Sequence, residues 1–317
     1  MPRDRRRHNH LRIVLIRVLN CLLLGAVLYF VGKTLLFHIS KIPLDGVTFL
    51  FRFVFLAVLF EVAARFFVGM SQHLLLKFSG SPLPLKISVS ISWISLMGKY
   101  VPGKIALVCS AIYFFKKYKV HTAIAGMVPV LSTVITIFVA LIFSIPMLIL
   151  NERSSFFSVD LLAVMIIVFI LFFLLNPIFF LPAGNYIFRR FGISEIGANL
   201  STQQMAVCVG VVGIQCVCAG ISTWLISRSV CLLDLSILPN IISITAFSGV
   251  MGLLVFFSPA GIGVRDGIFF ITLGGVVGPE NAALITVLLR VVQTLVDVGT
   301  FGIGAFWLYL DKITNKR

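Results

Sequence analysis

The sequence predicts an all-α polytopic membrane protein with six full transmembrane helices and two interrupted, re-entrant helical hairpins in an inverted repeat. Three observations carry this: an apolar composition, six runs long enough to cross a bilayer, and two short proline-glycine interruptions half a chain apart. Hydrophobic residues fill 59% of the 317 positions and charged residues 12%. With a mean hydropathy of +1.09, that balance excludes the soluble globular class. The net charge of +15 would suggest nucleic acid in a soluble domain. Here the basic residues flank apolar runs, where the positive-inside rule accounts for them and no nucleic-acid partner is expected.

The first run, 13–36, follows the basic start "MPRDRRRHNHLR". Such a start suits a secretory signal, but the run continues through Gly32 and Lys33 with no A-x-A-like cleavage site. A retained first span with its N-terminus inside is therefore expected. Further spans are expected at 47–70, 122–150, 159–181, 205–227 and 282–310, against a bilayer requirement of about 20 residues.

Between the second and third spans, "KISVSISWISLMGKYVPGKIALVCSAIYFFKK" splits into two apolar limbs, 87–97 and 105–115, of 11 residues each. As helices they would be about 16 Å long, near half of the hydrocarbon core. They fit a hairpin that enters and leaves on one side, with "GKYVPGK" at its tip. Ser88, Ser90 and Ser92 alternate with a strand-like period of two, yet an isolated strand is untenable in lipid.

The second interruption, "FFSPAGIGVRDGIFF" at 256–270, repeats the chemistry: Pro259, Gly261 and Arg265 follow the pattern of Pro102, Gly103 and Lys104. The two prolines lie 157 positions apart. Its first limb, 241–257, is longer, at 17 residues. Each half then reads span, span, interrupted pair, span. Such a half crosses an odd number of times, so the second must be inverted. The expected organisation is a single membrane domain, 1–317, with halves of about 1–150 and 159–317. Loop charges orient it, because fifteen basic residues fall in the predicted inner segments and three, Lys41, Arg153 and Arg228, in the outer ones. Both termini are thus expected on the cytoplasmic side of the cytoplasmic (inner) membrane.

"GKYVPGK" followed by "SPAGIGVRDG" resembles the lysylphosphatidylglycerol synthase transmembrane-region family, the flippase-like domain of multiple peptide resistance factors and of many stand-alone membrane proteins. The family pattern is G-K-Y-[IVL]-P-G-K and then P-G-G-[ILV]-G-V-R-E. Two departures stand out: Ala260 replaces a glycine and Asp266 the usual glutamate. The family's soluble aminoacyl-transferase domain is not found in this chain. The resemblance implies translocation of a polar, phosphate-bearing lipid without its synthesis. Expected partners are membrane lipids, an anionic or aminoacylated phospholipid or a polyprenyl-linked saccharide, and a separate synthase or glycosyltransferase.

The motif residues suit an anion site. Proline then glycine ends one helix and begins another, whose first N–H groups are unpaired and sit at the positive end of the dipole. Lys104 lies in such a first turn, where a cation is disfavoured unless an anion is near. Arg265 can hold a phosphate bidentately, and Asp266 can orient it or meet a cationic headgroup. The expected substrate-binding set is Lys99, Tyr100, Pro102, Gly103, Lys104, Ser258, Pro259, Gly261, Gly263, Arg265, Asp266 and Arg290. The plainer alternative is a tight turn, with snorkelling lysines and an Arg265–Asp266 pair.

Other intramembrane charges are Glu61 with Arg65, four apart, and Arg290 with Asp297, seven apart. Each costs about 2.5–3.5 kcal/mol at the bilayer centre, so neutralising Glu–Arg and Arg–Asp partners are expected. The six cysteines include no C-x-x-C pair, and the five histidines no ligand spacing. No metal or cofactor is expected. No nucleophile elbow, P-loop or carboxylate dyad is visible, so no enzyme activity is expected either. Besides a lipid translocase, an integral-membrane lipid transferase and a scaffold for lipid or glycan assembly remain as readings.

Overall fold

In lipid no water satisfies backbone N–H and C=O groups, so each span must satisfy its own as helix. The computed structural model describes residues 50–101, 105–150, 161–190, 200–255, 259–261 and 263–314. These form ten α-helices and three short 3₁₀ turns, with no strand among the described residues. In chain order the helices are α1 (Phe51–Phe78), α2 (Leu85–Leu96), α3 (Ile105–Lys117), α4 (Thr122–Leu150) and α5 (Leu161–Leu175). There follow α6 (Pro177–Arg190), α7 (Thr202–Val230), α8 (Leu238–Leu254), α9 (Val264–Val277) and α10 (Pro279–Thr314). The protein is an all-helical, polytopic membrane protein.

The expected first span, 13–36, lies outside the described residues. Helices α1, α4, α7 and α10 are long and apolar enough to cross a membrane, as is Leu235–Leu254, which joins a 3₁₀ turn to α8. The serines with strand-like spacing sit on helix α2.

The span expected at 159–181 is bent in the structure. Its residues divide between α5 and α6, bent by 75°. Pro177 has no N–H and disfavours helical backbone at Asn176. The Asn176 side chain instead accepts the N–H of Ile178 at 3.1 Å and starts the new helix. The first limbs of the two interrupted pairs also differ, α2 having 12 residues and α8 17.

Helix packing repeats between the halves. Pairing α1 with α7, α2 with α8, α3 with α9 and α4 with α10 maps the packed pairs onto one another. Thus α1 packs on α2 as α7 does on α8, α2 on α10 as α8 on α4, and α3 on α4 as α9 on α10. The counterparts α1 and α7 lie against each other and run in opposite directions. Arg228 stands 5.2 Å over the Phe53 ring, and further along α1 the Ser222 hydroxyl donates to the Ala57 carbonyl at 2.9 Å.

Glycines set the close crossings. A Cβ on Gly69 would lie 2.9 Å from Val89 Cα, and one on Gly220 2.4 Å from Ile242 Cγ1. Lipid is as apolar as the helices, so association rests on such small-residue contacts more than on apolar burial. Large side chains such as Phe55, Phe169, Leu295 and Phe306 accordingly face outward. Between α2 and α10, Trp93 and Trp307 stack at 5.6 Å between ring centroids.

Candidate functional site

Each interrupted pair bends back where a glycine lets its two limbs meet. A Cβ on Gly98 would fall 2.3 Å from the backbone nitrogen of Leu107. In the second pair, a Cβ on Gly252 would fall 2.8 Å from Arg265 Cβ, and one on Gly261 3.1 Å from the same atom. The Arg265 stem therefore occupies room that two glycines leave open.

The first tip is the 3₁₀ turn Met97–Tyr100 and the second the turn Pro259–Gly261. They meet, since buried Met97 and Tyr100 pack with Val101, Ala260 and Phe301. The second tip needs left-handed backbone: φ is 51° at Ala260, 73° at Gly261 and 89° at Gly263. Only glycine adopts this freely, which explains the glycine that the family pattern carries where this chain has Ala260.

Two acids organise the charges around the tips. Asp297, on α10 and 1% exposed, accepts from Arg65 Nε on α1 at 2.8 Å and from the Tyr100 hydroxyl at 2.7 Å. It also forms an ion pair with Lys99. Arg65 reaches Glu61 as well, with Nη2 2.8 Å from Oε1. At the second tip, Asp266 lies 2.8 Å from Arg290 Nε and accepts from Arg290 Nη2 at 3.0 Å. The Gly263 N–H donates to Asp266 at 3.4 Å, and Arg290 Nη2 donates to the Ala260 carbonyl at 3.1 Å. Asp266, in the first turn of α9, thereby complements the helix dipole.

Of the expected set, Pro102, Gly103, Lys104 and Ser258 lie outside the described residues. Lys99, Tyr100, Pro259, Gly261, Gly263, Arg265, Asp266 and Arg290 belong to the two tips or contact them. The expected Glu61–Arg65 pair is present. Two expected pairings are corrected: Asp266 holds Arg290 and not Arg265, and Asp297 holds Arg65 and Lys99 and not Arg290. Positions seven apart on a helix differ by about 10 Å in rise, so Arg290 reaches the nearer acid on α9. Glu61, Arg65 and Asp297 join the site although no motif contains them. Their signal was charge within an apolar run.

The rearrangement leaves Arg265 over. It has neither an ion pair nor a hydrogen bond among the described residues. Four cations, Arg65, Lys99, Arg265 and Arg290, surround three anions, Glu61, Asp266 and Asp297. The described cluster is therefore one positive charge in excess, inside a membrane protein, at the meeting point of the tips. Among the described residues no cluster of His, Cys, Asp and Glu has a metal-holding arrangement.

Broken helices that meet at a buried, cation-rich centre recur among polytopic membrane proteins, and intramembrane charge there marks a candidate site. The family model for the lysylphosphatidylglycerol synthase TM region matches residues 11–299, and the chain belongs to that family. Membrane lipid is accordingly its general class of partner. No curated protein matches the chain.

Proposed function

We propose that the protein moves a phosphate-bearing lipid headgroup across the cytoplasmic membrane between the two tips, leaving the acyl chains in lipid. Arg265 is the phosphate ligand. The observation that carries this reading is its guanidinium, which has neither an ion pair nor a hydrogen bond among the described residues while Asp266 and Asp297 are engaged elsewhere. A planar fork matches two phosphate oxygens, and charge-assisted bonds strengthen away from water. Bound phosphate would also offset the excess charge. Lys99 and Tyr100 border the path.

The substrate class is an anionic or aminoacylated phospholipid or a polyprenyl-linked saccharide, supplied by a separate synthase or glycosyltransferase. The chain itself does transport without covalent chemistry. Both termini and the Lys77 end of α1 face the cytoplasm, in keeping with the fifteen basic residues of the predicted inner segments.

The test uses purified protein in vesicles of phosphatidylethanolamine and phosphatidylglycerol, with fluorescent phosphatidylglycerol as probe. Wild type exchanges the probe between leaflets. Arg265→Ala loses at least about tenfold in rate, as removal of a charge-assisted contact near 1.5–3 kcal/mol implies, and Arg265→Lys recovers part of it. Unchanged exchange by correctly folded R265A would sink the assignment.

A further inference from the structure

Besides Trp93 Nε1 and the Glu61 oxygen paired with Arg65, four buried polar atoms of α1 and α2 lack a hydrogen-bond partner among the described residues: Glu61 Oε2, Gln72 Oε1, Ser92 Oγ and Ser95 Oγ. They are not scattered. On α1, Glu61, Arg65, Gly69 and Gln72 recur at helical spacing on one stripe, and Gly69 touches Val89 of α2. On α2, Ser88, Ser92 and Ser95 share a face, and Ser88 Oγ lies 3.4 Å from His73 Nδ1 of α1. The seam between the two helices thus carries polar groups from His73 to Glu61, about 18 Å along the helix axis.

The counterpart helix isolates what is special here. On α8 the hydroxyls of Ser243, Thr245 and Ser248 all donate to carbonyls of their own helix, at 3.0, 2.7 and 3.1 Å. On α2, Ser88 and Ser90 do the same, while Ser92 and Ser95 do not. A polar group left over in the interior takes water when it has room, and intramembrane chains that include Glu and His serve as proton relays.

Glu61 stands where that seam reaches the charge cluster. It is 1% exposed, with one oxygen against Arg65 and the other without a hydrogen-bond partner among the described residues. The other acids are better supplied: Asp297 has Arg65, Lys99 and Tyr100, and Asp266 has both Arg290 nitrogens and an N–H. The groups facing Glu61 are Arg65 on its own helix, Cys218 on α7 and Arg265 on α9, with Asp297 of α10 behind Arg65. The sole titratable residue of α2, Lys86, lies over Trp307, and α4 contains none.

We propose that Glu61 is a proton-binding site, filled along the α1–α2 seam from the His73 end, and that its protonation is coupled to headgroup passage at Arg265. A proton on Glu61 removes one of the negative charges that act on Arg65 and Arg265, so the centre holds an incoming phosphate more strongly. Release of the proton to the far side then weakens that hold.

The coupling rests on the lipid-translocation reading, whereas the proton site itself does not, and two readouts separate them. In the same vesicles, now with a lumenal pH dye, an imposed pH gradient redistributes fluorescent phosphatidylglycerol by up to about tenfold per pH unit for one proton per lipid. Glu61→Gln abolishes that redistribution. The S92A/S95A double variant slows proton uptake while exchange at equal pH is unchanged. Independently, the pH-difference infrared spectrum of the full chain contains a carboxylic C=O band that E61Q removes. If the probe moves regardless of gradient and E61Q leaves the spectrum unaltered, the proton site is overturned and translocation stands. If the probe never moves, translocation and its coupling fail, and the infrared band alone decides whether Glu61 binds a proton.

Discussion

The two halves share one packing plan and carry different charges. Helices α1 and α10 bring Glu61, Arg65, Arg290 and Asp297 to the centre, whereas α4 contains no charged residue and α7 only Arg228, near its end. The charges of one half are neutralised by the other: Arg65 by Asp297 and Lys99 by Asp297, contacts 232 and 198 positions apart. Repetition builds the crossing, and its asymmetry makes the centre cationic.

Breaking that cross-half neutralisation has the largest expected effect. Asp297→Ala strands Arg65 and Lys99 together, and losing one member of a buried pair costs about 3–5 kcal/mol. Thermal unfolding in detergent should register a large drop in midpoint or a failure to accumulate folded protein. The opposite result, an unshifted midpoint, would mean that the halves hold together without their charges.

A paired substitution sharpens the comparison at the next level. Gly98→Ala and Gly252→Ala each overpack a tip, at a cost of about 1–3 kcal/mol. They meet different neighbours, backbone at Leu107 in the first and the Arg265 stem in the second. G98A should therefore lose mainly stability, and G252A more probe exchange than stability, when unfolding midpoint and exchange rate are measured on both. Equal losses in both measurements would refute the distinction. Ala260→Gly has the smallest effect and the opposite sign. It relieves a φ of 51° and should stabilise the folded chain by about 0.5–1 kcal/mol, net of the added freedom of the unfolded state.

Much of this was legible in the sequence because bilayer physics leaves few choices. Apolar length fixed most helices, and proline with glycine marked both tips. The Glu61–Arg65 pair followed from i,i+4 spacing alone. What escaped was partner choice. Sequence spacing favoured Arg265–Asp266 and Arg290–Asp297, but adjacent residues on a helix point different ways, positions seven apart are about 10 Å apart in rise, and for Arg290 an acid on another helix was nearer. The break at Asn176 was missed although Asn176 and Pro177 mark it, because apolar residues continue on both sides of them. That the hydroxyls of Ser92 and Ser95 lack a partner among the described residues leaves no mark in sequence, since serines that back-bond to their own helix look the same.

The stacked Trp93 and Trp307 give the protein an optical label of its own. Two indoles 5.6 Å apart with planes 25° from parallel are close enough for their excited states to mix. Their joint near-ultraviolet circular dichroism then reads the separation of α2 from α10, the helix that carries Asp297. Any movement of the first tip relative to that helix during a cycle would be visible in unlabelled protein.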